Sequence, residues 1–203
     1  MQVENHKEEV PFSYYEEKFK ALQPEDVVAR LKSVEWDSKE FYVNLLGVTY
    51  AISHPEYRIR NVDGGKVPPL PVQTFLLRYL LESRDIVWLG QWKTFREMPW
   101  GELYIQPYTG RVLTRAAFTF GTRVAAFKAA CEKMGAQPLK NGDAGFQFPF
   151  IGDYQVQILV WEGDDEFPPN AQVLYSDNFE TGFAPEDRVV VGDILISTIK
   201  ANM

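Results

Sequence analysis

The sequence predicts a single α+β domain in which helices pack on an antiparallel-rich sheet. Neighbouring segments with alternating apolar residues are separated by short glycine turns, which is typical of antiparallel hairpins. Segments with helical spacing do not alternate regularly with the strands, as they would in a doubly wound fold. Because the 203 residues contain no Ser/Gly-rich linker, we expect one domain over residues 1–203, with an N-terminal helical segment (1–35) and a core (40–203).

The N-terminal half is expected to hold three helices and a small antiparallel meander. Pro24 at a first helical position, with Glu25 and Asp26 in the first turn, predicts where the second helix starts. Residues with high strand propensity predict the meander, and Asp63-Gly64-Gly65 predicts a turn after it. The predicted helices are Phe12–Lys20, Pro24–Ser33 and one with Val72, Phe75, Leu76, Tyr79 and Leu80 on its apolar face; the predicted strands are Phe41–Leu46, Val48–Ile52 and Arg58–Val62.

The C-terminal half is expected to hold a hairpin between two helices. The hairpin turns at Gly152-Asp153, and Gly135 is placed to end the helix that precedes it. Glycine and proline residues exclude a long helix within Trp88–Tyr108. The hairpin strands are Phe146–Phe150 and Tyr154–Trp161; the helices carry apolar stripes through Val124, Phe127, Cys131 and Met134 and through Val191, Leu195 and Ile199.

The composition excludes several classes of function. A formal net charge of -7 argues against binding to nucleic acid, which needs clustered Lys and Arg. The first residues lack the apolar region of a signal peptide, and no apolar run reaches the length of a membrane span, so we expect a cytoplasmic protein without a membrane partner. The one cysteine, Cys131, cannot supply an iron–sulfur cluster within this chain, and its helical stripe predicts an inert, buried thiol.

The first candidate site is the acidic turn after the strand that ends in Trp161. Asp164, Asp165 and Glu166 stand beside Phe167, and loops carried on a strand end are common positions for binding residues. The spacing does not match an EF-hand calcium loop. Three interpretations stay open: a solvated turn, a hydrogen-bonding contact to a ligand, and a general base on Asp165 or Glu166.

The second candidate site is the aromatic segment Trp88–Tyr104. Its rings would either line a pocket for a large flat ligand or pack in the core. Arg96 would either hold an anionic group, oriented by Glu97, or join a structural ion-pair cluster. No serine elbow, phosphate loop or metal motif is present, so the sequence favours a non-enzymatic protein. The rings in this segment that could line a pocket are Trp88, Trp92, Phe95, Trp100 and Tyr104, and the predicted site includes all of them except Trp100.

Five segments taken in order resemble a prokaryotic domain family of unknown function that occurs largely in strict anaerobes. They are Pro71–Leu81, Gly90–Tyr104, Phe127–Gly135, Leu159–Pro168 and Ala184–Asp187. Some members of the family look like fusions to a four-cysteine iron–sulfur domain similar to that of the corrinoid iron–sulfur protein. The chain departs from the family pattern in two places and lacks the four-cysteine domain. The family usually has a glycine where Trp100 stands and an aromatic–aspartate pair where Tyr175-Ser176-Asp177 stands.

The resemblance implies a setting in anaerobic metabolism near corrinoids. On that basis we expect a non-enzymatic protein that binds a corrinoid for storage, transfer or delivery. The two aromatic loops would pack on the macrocycle, and Arg96 and the three carboxylates would bond its amides. The alternative is a protein-interaction or assembly module whose aromatic residues contact a redox or methyl-transfer partner, such as a corrinoid or iron–sulfur protein.

Overall fold

The structure is a computed structural model that describes residues 6–203. It is an α+β structure, and the strand pairings within each part of it are antiparallel, so the predicted fold class is confirmed. The chain divides into two compact units, Met1–Ile86 and Val87–Met203. The grouping of residues 1–203 into one domain stays a prediction.

The first unit combines three helices with an antiparallel meander. The helices are α1 (His6–Lys20), α2 (Pro24–Arg30) and α3 (Leu70–Glu82). The strands pair in the order β1 (Glu35–Trp36), β2 (Glu40–Leu45), β3 (Val48–Ser53) and β4 (Arg58–Asn61). Leu46 and Gly47, both with positive φ, close the tight turn between β2 and β3. The predicted meander and helices are confirmed, except that α2 ends at Arg30 and not near Ser33; the sequence patterns missed β1 and the first turns of α1.

The second unit is built on a five-stranded antiparallel arrangement. The strands are β5 (Trp92–Thr94), β6 (Gln137–Leu139), β7 (Ala144–Ile151), β8 (Tyr154–Trp161) and β9 (Asn170–Ser176). They pair in the order β6, β7, β8, β9, β5. The predicted hairpin is therefore β7 and β8. In β9, Ala171, Val173 and Tyr175 are buried in strict alternation, a pattern that the sequence predictions overlooked.

A helical run from Gly101 to Phe120 was also not predicted. It consists of α4 (Gly101–Tyr108), a π-helical segment (Thr109–Thr114) and α5 (Arg115–Phe120). Pro107 lacks a backbone N–H and so removes one bond of the α pattern immediately before the π segment. The expectation that Gly and Pro exclude a long helix was wrong beyond Gly101, because burial of every fourth residue holds the widened helix in place. The buried residues are Tyr108, Val112, Ala116 and Phe120.

Three further helices complete the second unit: α6 (Val124–Lys133), α7 (Phe179–Gly182) and α8 (Pro185–Asn202). The predicted stripes of α6 and α8 are buried at Phe127, Cys131, Val191, Leu195 and Ile199. Gly135 follows α6 with positive φ, as predicted for its C-terminal cap.

Within the part of the chain that the structure describes, helices long and apolar enough to cross a lipid bilayer are absent.

Two helical glycines give a matched prediction about packing in the second unit. A Cβ at Gly110 in the π-helical segment would meet nothing within 4 Å, so Gly110→Ala should raise the free energy of unfolding by about 0.5–1 kcal/mol through reduced chain entropy. A Cβ at Gly192 in α8 would lie 2.7 Å from a methyl carbon of Val112. Gly192→Ala should therefore destabilise the protein. Urea unfolding measures whether each variant gains or loses free energy of unfolding. Equal changes in the two variants would contradict the described packing.

Candidate functional site

The predicted aromatic loops lie at opposite ends of β9. Trp92 of β5 pairs with Ser176 at one end, whereas Trp161 of β8 pairs with Asn170 at the other. Six residues of extended chain separate these two ends, which corresponds to about 20 Å. The structure therefore brings the ten predicted site residues together in two groups, one in Trp88–Tyr104 and one in Trp161–Phe167.

The start of the first group is held in place by one carboxylate. The two oxygens of Asp177 accept from the backbone N–H groups of Leu89 and Gln91, each at 3.0 Å. Trp88 packs edge-on against Trp92 with ring centroids 5.1 Å apart, and its indole N–H donates to the Gln91 carbonyl. Both tryptophans are half-buried, so much of each ring is used in packing this loop.

The turn after β5 assigns three of the predicted residues to structural roles. Phe95 is 1% exposed and stacks on Tyr108 at a centroid distance of 4.0 Å, so it is a core residue and not part of an external pocket. Glu97 forms a reciprocal cap with Thr94, and the Thr94 N–H donor lowers the pKa of its carboxyl. Arg96 forms two hydrogen bonds to Glu102, which agrees with the structural ion-pair interpretation, and its contact with an anionic ligand stays a prediction.

The acidic loop carries its charges on the surface. Asp164 Oδ1 accepts from the backbone N–H groups of Glu166 and Phe167, and these bonds, with the one from Phe167 the stronger cause, lower the pKa of Asp164. Asp165, Glu166 and Phe167 are exposed. Asp164 therefore closes its own turn, which supports the interpretation of this segment as a solvated turn. Among the residues that the structure describes, no three His, Cys, Asp or Glu side chains are arranged to hold a metal ion.

The side chain of Arg188 in α8 holds backbone segments beside the first group in place. The side chain is 2% exposed, and burial lowers the pKa of its guanidinium. Its nitrogens donate to four backbone carbonyls at 2.8–3.2 Å: Nε–H is shared between two of them, and each terminal nitrogen donates to one. The acceptors are Pro99, Phe179, Glu180 and Phe183.

Two buried tyrosines connect this arginine to α4. The Tyr175 hydroxyl donates to the Arg188 carbonyl at 3.0 Å. Since that bond uses its only proton, the Tyr108 hydroxyl, 3.1 Å away, must donate to the oxygen of Tyr175. Burial raises the pKa of both phenols well above the usual value. The two phenols are thus satisfied, neutral structural groups.

Trp100 stands directly after the carbonyl that Arg188 fixes, and its backbone is left-handed. Its φ is 66° and its ψ is -3°, a conformation that an L-residue with a large side chain adopts at a cost of about 1 kcal/mol. A Cβ at Gly101 would collide with the Phe95 carbonyl, so the chain must turn sharply here. In spite of this cost, the Trp100 side chain is 66% exposed.

Trp100 begins an apolar stripe on the outer side of α4. Leu103 is 72% exposed and Tyr104 is 40% exposed, and Pro107 is exposed one turn further on. The spacing i, i+3, i+4, i+7 places the four side chains on one helical face. We name this set, Trp100, Leu103, Tyr104 and Pro107, the α4 face. Of its members the sequence analysis considered Trp100 and Tyr104 as pocket residues, and it missed Leu103 and Pro107 because the pattern was assigned to a loop and not to a helix.

Two further residues with reactive side chains, His54 and Cys131, are packed against other parts of the chain. His54 lies half-buried in the first unit, with Nε2 3.1 Å from the Phe19 carbonyl and its ring edge-on to Phe19. Cys131 is buried, and burial raises the pKa of its thiol, which agrees with the predicted inert side chain. Neither residue adds a reactive group to the described surface.

The contrast between two arginines gives a stability prediction. Arg188→Met would leave four backbone carbonyls, two of them buried and two partly buried, without this donor, so the free energy of unfolding should fall by about 3–5 kcal/mol. Arg96→Met removes only an exposed ion pair and should cost about 0–1 kcal/mol. Chemical denaturation of the two variants measures the difference. Similar losses would show that Arg188 does not organise this unit.

Sequence comparison assigns the chain to a family. Residues 23–198 match the model of a domain of unknown function, DUF3786, so the match also includes α2 and β1, before the core expected from residue 40. No curated protein and no solved structure matches the chain. Because the matched segment spans most of the sequence, the protein belongs to the DUF3786 family, a domain of unknown function.

Proposed function

We propose that this protein is a non-enzymatic protein-interaction module and that the α4 face is its contact surface. The observation that carries the proposal is Trp100, a large apolar side chain that is 66% exposed on a left-handed backbone. Glycine would relieve the strain and an exposed indole contributes little to the core, so folding alone gives no reason for this residue. Strained residues of this kind are typical of binding sites, and tryptophan is frequent among the residues that dominate interface energy.

The surroundings of the α4 face support a preorganised surface. The turn before it is held by the Arg188 bond to Pro99 at 2.8 Å and by the cap between Thr94 and Glu97. The side chains therefore do not need a large rearrangement to meet a partner, which lowers the entropic cost of binding. An exposed apolar stripe with ion pairs beside it resembles the core and rim of a protein interface.

Corrinoid binding stays a second prediction, with weaker support from the geometry. One flat ring would have to reach from Trp92 to Trp161 across about 20 Å to use both predicted groups. Phe95 is buried, and Asp164 is occupied in its own turn. The expected setting, strict anaerobes and fusions to iron–sulfur domains, makes a redox or methyl-transfer protein a reasonable partner class, and this too is part of the proposal.

Substitution of Trp100 separates a role in binding from a role in stability. Alanine keeps the unfavourable φ and glycine removes it, so Trp100→Gly should be more stable than Trp100→Ala by about 1 kcal/mol. Trp100→Gly should also be at least as stable as the original protein, while both variants lose binding. Thermal and urea unfolding give the stabilities. A large loss of stability in Trp100→Gly would make the indole a structural residue.

A pull-down with matched variants tests the proposed surface. Leu103→Glu and Phe167→Glu each replace an exposed apolar side chain with a carboxylate, but only the first lies on the α4 face. A protein retained by the original chain and by Phe167→Glu, and lost with Leu103→Glu, supports the proposal. Equal retention by all three proteins contradicts it.

A titration with hydroxocobalamin, followed by visible absorbance, tests the competing prediction. A saturable shift at about one ligand per chain that persists in Leu103→Glu would favour cofactor binding over the proposed protein contact. The absence of a shift would leave the protein-interaction proposal as the account of the aromatic residues.

A further inference from the structure

We infer that the outer face of the sheet in the second unit binds a neutral chain rich in hydroxyl groups, an uncharged oligosaccharide. Val156 and Ile158 of β8 are fully buried on the inner face of this sheet. Gln155, Gln157 and Trp161 alternate with them on the outer face and keep contact with solvent, as one face of an antiparallel sheet often does. No residue of this surface belongs to α4, so the inference goes beyond the proposed protein contact.

Six side-chain amides share the outer face. Gln137 of β6 is paired with Gln147 of β7, which is paired with Gln157 of β8, so three glutamines form a row across neighbouring strands. The Gln157 amide donates to the Gln147 carbonyl oxygen at 3.2 Å, and each amide has further donors and acceptors for other partners. We name this surface the amide face; its members are Trp92, Trp161, Gln137, Gln147, Gln155, Gln157, Asn170 and Gln172.

The amide face carries no formal charge. In strands β5 to β9, the residues that the register places on the outer face include no Asp, Glu, Lys or Arg. This is unusual in a chain with 24% charged residues and a net charge of -7, because exposed positions are where charged residues normally lie. The surface offers no cations to a phosphate and no carboxylates to a basic segment. Amides both donate and accept hydrogen bonds, as hydroxyl groups do, so the face matches an uncharged, hydroxyl-rich ligand.

A tryptophan stands at each end of the amide face. Trp92 is paired with Ser176 and Trp161 with Asn170, and these ends of β9 are about 20 Å apart. Trp92 is half-buried and Trp161 is 37% exposed, so both rings reach solvent. An indole face packs on the C–H face of a sugar ring, while the amides between the two tryptophans bond the hydroxyl groups. The separation that is too long for one flat ring therefore suits a chain of linked sugar rings.

Affinity electrophoresis of the full chain tests the inference, in native gels that contain dextran, hydroxyethylcellulose, galactomannan or xyloglucan. At least one of these uncharged polysaccharides should slow the original chain relative to a gel without polymer. Gln157→Glu places a carboxylate in the centre of the amide row and should raise the dissociation constant at least about tenfold. Gln106→Glu makes the same change at an exposed position of α4 and should bind as the original chain does. Unchanged mobility of the original chain in all four gels, or equal affinity of the two variants, would overturn the inference.

Two tryptophan variants separate this inference from the proposed protein contact. Trp161→Ala should weaken binding to the retarding polysaccharide at least about tenfold, whereas Trp100→Ala should leave it unchanged. In the pull-down the order is reversed, because Trp100 belongs to the α4 face and Trp161 does not. Circular dichroism and urea unfolding verify that both variants are folded. Polysaccharide binding that Trp161→Ala leaves intact would overturn the assignment to the amide face, whatever the pull-down shows.

Discussion

The second unit depends on the guanidinium of Arg188. A charged group at 2% exposure would be costly without partners, and here four backbone carbonyls accept its hydrogen bonds. These acceptors come from the turn before α4 and from the segment that holds α7. One side chain of α8 thereby fixes both segments, and the carbonyl that its backbone supplies receives the bond from Tyr175.

The exposed surface follows from this buried network. Arg188 fixes the Pro99 carbonyl, the close contact of Gly101 with Phe95 forces the next turn, and Trp100 must then take a left-handed conformation. The helix that begins there buries Gly101 and Tyr108, which leaves Leu103 on the outer side and Tyr104 at the edge of the buried side. Strain at Trp100 and exposure of the α4 face are thus two results of one local geometry, and together they distinguish this surface from the acidic loop.

Most regular elements could be predicted from the sequence because their burial period equals that of an ideal strand or helix. The helical run after Gly101 could not, since Pro107 and Gly110 are poor helix residues and interrupt the sequence pattern of a helix. Arg188 lies among charged residues that are usual in the first turn of a helix, so the sequence does not distinguish it from an exposed residue. Its burial and the positive φ of Trp100 are tertiary properties that leave no signal in residue type.

The most direct test of the central claim is hydroxyl-radical footprinting of the chain with and without the protein that it retains in the pull-down, read by mass spectrometry. The method reports side-chain exposure, and the two aromatic groups serve as internal references for each other. The account predicts that Trp100, Leu103 and Tyr104 react in the chain alone and become protected when that protein is bound, while Trp161 and Phe167 stay reactive. Protection of Trp161 and Phe167, with unchanged reactivity at Trp100, would contradict it and move the contact surface to the acidic loop.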